Sequence, residues 1–122
     1  VTTTENGPRD NGPRDLAWHL AHAADQLDRR LRNGDQIDVP RPIDHFAVFP
    51  RRALARRAAR DLVAAGYVIR IDRLRLRSVL TASHRSPVDA ASSTAFIILV
   101  VGAVEAAGGD YDGWRARIVP AH

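Results

Sequence analysis

Four groups of residues have types and spacings that chemistry could use. Asp44 and His45 are adjacent, the pairing in which a carboxylate orients an imidazole base. His19 and His22 stand three apart with Asp25 three further on, a spacing that gathers side chains on one flank of a helix, as metal ligation requires. Asp110 and Asp112, two apart, would share one face of a strand and resemble the carboxylate pair of a glycosidase or a metal site. Tyr111-Asp112-Gly113-Trp114 sets two aromatics around a carboxylate, and Tyr and Trp dominate binding hot spots when exposed.

Composition closes most of the catalytic routes. The chain has no cysteine, so no thiolate nucleophile, disulfide or Cys-ligated zinc. All 18 basic residues are Arg, which excludes phosphate loops, Schiff bases and kinase-type sites built on Lys. No G-x-S-x-G elbow supplies a nucleophile for Asp44-His45, and H-E-x-x-H is absent, so the pair reads as a structural hydrogen bond and the histidines as part of a polar helix face. No catalytic residue, metal or cofactor is expected. Gly113, between Asp112 and Trp114 at a strand start, suits a bulge or a tight turn that aims the indole.

The Arg residues form the other signal. Net charge is +4, although GC-rich codons favour both Arg and Ala and so account for part of it. Arg73, Arg75 and Arg77 alternate along one predicted strand and Arg115 and Arg117 along another, which predicts one basic sheet face able to hold RNA phosphates. The stacking aromatics of an RNA-recognition sheet are missing between Leu74 and Leu80, leaving Phe46 or Phe49 to supply them.

The elements that must position these groups follow from local pattern. Residues 1–14 hold no apolar stretch and carry a tandem repeat, Asn6-Gly7-Pro8-Arg9-Asp10 and again from Asn11, which predicts a disordered tail ahead of one domain over residues 15–122. From Asp15 as N-cap, Leu16, Leu20, Ala24, Leu27 and Leu31 recur at helical spacing until Asn33-Gly34. Residues 43–49 read as a strand, and Pro50 opens a helix with Leu54, Ala55, Ala58, Leu62 and Ala65 on one face. Strands from Tyr67 and from Leu74 form a hairpin. Ser86-Pro87-Val88-Asp89 resembles a capping box, opening an all-round apolar helix that stops at Gly108-Gly109. A last strand spans residues 111–119. The order is α+β, a ferredoxin-like split β-α-β (βαββαβ) with a four-stranded antiparallel sheet and an extra N-terminal helix. The longest apolar run falls short of the ~20 residues that cross a bilayer, so no membrane partner and a cytoplasmic location are expected.

Three segments carry a resemblance. Pro40-Arg41-Pro42-Ile43-Asp44-His45-Phe46, Gly66-Tyr67-Val68 and Gly108-Gly109-Asp110-Tyr111-Asp112-Gly113-Trp114 resemble, in order, the motifs of the ribonuclease E inhibitor B (RraB-like) family, across residues 37–119. The resemblance implies a non-catalytic ferredoxin-like domain that binds a ribonuclease E or G type enzyme and lowers RNA cleavage. It puts Arg41, Asp44, His45, Tyr111, Asp112 and Trp114 forward as partner-binding residues. The proteobacterial inhibitor is acidic while this chain is basic with two Glu, so electrostatic docking is not carried across. Two other readings stay open: an RNA-binding module using Arg73, Arg75, Arg77, Arg115 and Arg117, and a self-associating domain, such as a homodimer, of unrelated function.

Overall fold

A computed structural model of the chain describes residues 14–121; apart from Arg14, the expected tail lies outside them. Strand β1 (Arg41–Phe49) is the axis of the structure. Its alternation buries Ile43, His45, Ala47 and Phe49 on one side and leaves Asp44, Phe46 and Val48 half-buried on the other. β2 (Val68–Leu74), β3 (Arg77–Ser86) and β4 (Asp110–Ala116) complete an antiparallel sheet in the order β2-β3-β1-β4.

Helices α2 (Arg52–Ala64) and α3 (Ala90–Ala106) cross the buried face of the sheet. α2 buries Ala55, Ala58 and Leu62 and keeps Arg52, Arg56, Arg57 and Arg60 in water, so small side chains let its axis approach the sheet closely. The expected capping box is displaced. β3 runs on to Ser86, and Asp89 caps α3, its Oδ1 accepting from the Ser92 N–H at 2.8 Å. Residues 96–101 are helical throughout, and α3 buries Phe96, Ile97, Val100, Val101 and Val104, with Ile98 and Leu99 left half-exposed on its outer side. No helix among the described residues is long and apolar enough to cross a membrane.

α1 (Leu16–Arg32) packs beside α3 in the same layer and leaves the far face of the sheet free of helices among the described residues. Its inward line is not the Leu stripe alone. His19 and Ala23 are its buried residues, Leu16 and Leu20 pack at the margin of the core, and Ala24 and Leu31 face solvent. The helix is rotated because aromatic contacts near its start and Arg30 near its end both reach for β4.

The basic strand predicted from residues 73–77 does not form. Leu74 pairs with Arg77 across a two-residue turn of Arg75 and Leu76, with Arg75 at φ 58°. The turn breaks the alternation that sequence reading carried through it. Arg73 therefore lies opposite Ser78 on the helix side of edge strand β2, Arg75 in the turn, and Arg77 on the open face of β3. Arg115 lies on β4 at the opposite edge of the sheet, and Arg117 just beyond that strand.

Candidate functional site

The segment from Gly108 to Trp114 is built by tight local requirements. A Cβ on Gly109 would fall 2.3 Å from the Phe49 ring, so only glycine lets that ring close the core there. Gly113 sits at φ +104°, and the pairing of β4 with β1 slips between Phe46, opposite Gly113, and Ala47, opposite Tyr111. Asp112 is the extra residue of this bulge. Its consequence is that Tyr111 and Trp114, three apart, both turn toward the helices, while Asp112 is pushed out to solvent. The Asp110 and Asp112 spacing thus loses the shared strand face that sequence suggested.

Behind this bulge runs a buried polar chain. Tyr111 Oη lies 2.7 Å from His45 Nδ1, and His45 Nε2 lies 2.9 Å from His84 Nε2. Burial, helped by the neighbouring His84, pushes the His45 pKa down to about 3, and burial pushes the Tyr111 hydroxyl up. A neutral His45 can accept from Tyr111 and donate to His84, so every bond is made without a charge in the core. Phe96 closes edge-on over both imidazoles, at 5.0 Å and 5.2 Å. Asp44 and His45 lie on opposite faces of β1, as strand alternation demands; Asp44 instead accepts from Ser83 Oγ at 2.7 Å.

Arg41, expected at a partner surface, is 2% exposed. It anchors a knot around Asp35, donating to both carboxylate oxygens at 2.7 and 2.8 Å and to the Arg117 carbonyl at 2.8 Å. Arg30 from α1 donates to Asp35 at 2.9 Å and to the Ala116 carbonyl at 3.1 Å, and the Val119 N–H donates to Asp35 at 3.0 Å. Burial alone would raise the Asp35 pKa; these donors outweigh it and hold the carboxyl below its ordinary value. The knot ties α1, the loop before β1 and the end of β4 together. Arg30 also spans the Trp114 ring at 5.1 Å, so the indole is held between Arg30 and Phe96.

Between α1 and the bulge lies a cavity of about 160 Å³. Its lining includes Trp18, His19, His22 and Gln26 from α1 and Tyr111 to Trp114 from β4, with Arg14 at its margin. His19 stands edge-on to Tyr111 at 4.8 Å, and Trp18 stacks on His22 at 4.8 Å and 16°. His19, His22 and Asp25, whose spacing alone would suit metal ligation, form no such cluster, and no group of three such ligands occurs among the described residues. Sequence reasoning reached Tyr111, Asp112 and Trp114 but missed Trp18 and Gln26. Their shared helical flank with His19 and His22, at spacings of three, four and seven, was the available signal.

On the open face the register gathers Arg70, Arg77, Arg85 and Arg115, a different set from the one expected. Arg115 spans the half-buried Phe46 ring at 5.3 Å and lies 3.7 Å from Asp44. Arg70 pairs with Asp72 at 2.8 Å.

The structure is that of a small α+β sheet domain with one sheet face free of helices among the described residues and its most distinctive segment devoted to shaping an edge strand. The family model for RraB, regulator of ribonuclease activity B, matches residues 20–115, and the chain belongs to that family. No curated protein matches it.

Proposed function

We propose that this protein regulates RNA turnover in the cytoplasm by binding an endoribonuclease of the ribonuclease E or G type and sterically occluding it, with no chemistry of its own. The observation that carries this reading is the family match across nearly the whole described domain. The contact surface is the rim made by Asp112 and the half-buried Trp114; Asp44, put forward with them from sequence, lies on the opposite face of the sheet. Arg41, His45 and Tyr111 act behind that rim and hold its shape, since all three are buried and bonded. The test is cleavage of a short single-stranded RNA by ribonuclease E or G of the same source, titrated with this protein at two RNA concentrations. Inhibition that saturates in proportion to the nuclease, whatever the RNA level, is expected. Asp112→Arg, at an exposed position, should weaken it without unfolding the protein.

A second reading is favoured by Phe46, half-buried on a central strand beneath Arg115. Stacking on that ring with phosphates on Arg70, Arg77, Arg85 and Arg115 would bind single-stranded RNA directly. Inhibition would then follow RNA concentration and fade as salt rises.

A further inference from the structure

We infer that the free edge of β2 is an interface for a second copy of this chain: two β2 strands pair antiparallel about Ile71, so that Arg70 of each copy lies opposite Asp72 of the other and the two sheets join into one. This goes beyond regulation of a ribonuclease and does not depend on it.

The edge is open, and its backbone is set for pairing. β2 ends the sheet, with β3 on one side and no strand on the other among the described residues. Leu74 and Arg77 close a two-residue turn, and a pair that closes such a turn exchanges its own backbone bonds, because the alternative would place a bond inside the turn. The register runs from there to Val68 without a slip, so Val68, Arg70, Asp72 and Leu74 direct their N–H and C=O groups at β3. Ile69, Ile71 and Arg73 direct theirs outward, and no turn, loop or cap bond takes them up among the described residues.

Charge then selects both the occupant and the register. In an antiparallel ladder on this edge, outward residues must face outward residues, so a two-fold axis passes through a residue and not between two. Centred on Arg70, Asp72 or Arg73, it would set like charges against each other. Centred on Ile69, it would oppose Arg70 to Val68 and match no charge. Centred on Ile71, it puts Arg70 opposite Asp72 twice, Val68 opposite Leu74 twice, and Ile71 opposite its own copy. The two Arg70 and Asp72 pairs then fall at positions that exchange no backbone bonds across the new interface, where opposed side chains come closest. Both side chains are free to take part, at 77% and 53% exposed, and within one chain Arg70 Nε already bonds Asp72 Oδ2 at 2.8 Å. Pairing closes four alternating charges into a ring on the open face. Val68 and Leu74, 73% and 59% exposed, are covered by each other in the same register. Charges that turn away an arbitrary strand thus fit a second copy.

A contact made by one strand is small, so the dimer forms and dissociates with concentration. The test is sedimentation of the full chain from micromolar to millimolar concentration, with the weight-average mass expected to climb from one chain toward two. Arg70→Asp and Asp72→Arg should each weaken dimerisation roughly tenfold or more, because every opposed pair becomes like-charged. An equimolar mixture of the two variants should dimerise again, since one presents only carboxylates at these positions and the other only guanidiniums. In the unmodified protein, amide exchange at Ile69, Ile71 and Arg73 should slow as concentration rises, and this decides alone if a variant fails to fold. A chain that stays monomeric throughout, a dimer that both variants leave intact, a mixture of folded variants that remains monomeric, or slowed exchange confined to another edge or face overturns the proposal.

Discussion

α1 contributes to two buried polar assemblies, and they are built in opposite ways. Near its C-terminal end Arg30 joins Arg41 around Asp35, where both carboxylate oxygens are bonded and the guanidiniums also hold backbone carbonyls. Nearer its start His19 Nε2 and Gln26 Oε1 are buried without a hydrogen-bond partner among the described residues, and both residues line a cavity. A closed network fixes geometry and has nothing left to offer a ligand. An incompletely bonded one has unspent hydrogen-bonding capacity, and that difference separates scaffold from site more sharply than residue type, since both contain residues that sequence alone marks as functional.

The largest effect expected is at the knot. Asp35→Ala strands the buried Arg41 guanidinium and takes the carboxylate from the partly exposed Arg30, and should lower unfolding free energy by about 3–5 kcal/mol, read from urea denaturation. A loss below about 1 kcal/mol would mean that the knot is ornamental and the comparison is wrong. Acid comes next. His45 titrates near 6.5 when unfolded and about 3 when folded, so the unfolded chain binds more protons between those values. Stability should hold above about pH 6.5 and fall as pH is lowered toward 3, by up to about 1.4 kcal/mol per unit for this group. Asp35, with its folded pKa held below 3.8, adds a loss in the same direction once pH drops through that region. Urea midpoints at pH 7, 5.5 and 4.5 that did not decline would contradict a neutral buried His45.

Smaller changes are expected at the cavity. Gln26→Leu and His19→Phe remove polar atoms that bond nothing in the described structure, so thermal unfolding should move by less than about 1 kcal/mol in either direction. A drop beyond about 2 kcal/mol in both would place the cavity with the scaffold. Smallest of all, Arg115→Ala should leave stability within about 0.5 kcal/mol, because its contact with Asp44 is solvent-exposed. It sharpens the comparison as a surface pairing that neither scaffold nor cavity uses.

Much of the fold was legible locally. Helical spacing from Leu16, the Pro50 and Gly66 boundaries, and strand alternation along residues 43–49 each report the environment of a few consecutive residues, and the element order followed from them. An irregularity at Gly113, bulge or tight turn, was legible for the same reason, and the register slip against β1 makes it a bulge. The candidate site was legible only by segment. Tyr111, Asp112 and Trp114 were found, yet Tyr111 proved to be a core group bonded to His45 across 66 residues of chain, and Arg41 a knot residue bonded to the Arg117 carbonyl across 76. No local pattern reports such partners.

The sequence by itself determined the elements, their order and the family, because periodicity, caps and glycine positions act over a few residues. Tertiary structure decided which way the groups point. A two-residue turn at Arg75 and Leu76 scattered a predicted basic strand over two faces, one extra residue at Asp112 aligned Tyr111 with Trp114, and contacts to β4 rotated α1 until His19 faced inward. In a sheet, a shift of one residue exchanges inside for outside, and only packing against distant segments settles which of the two is kept.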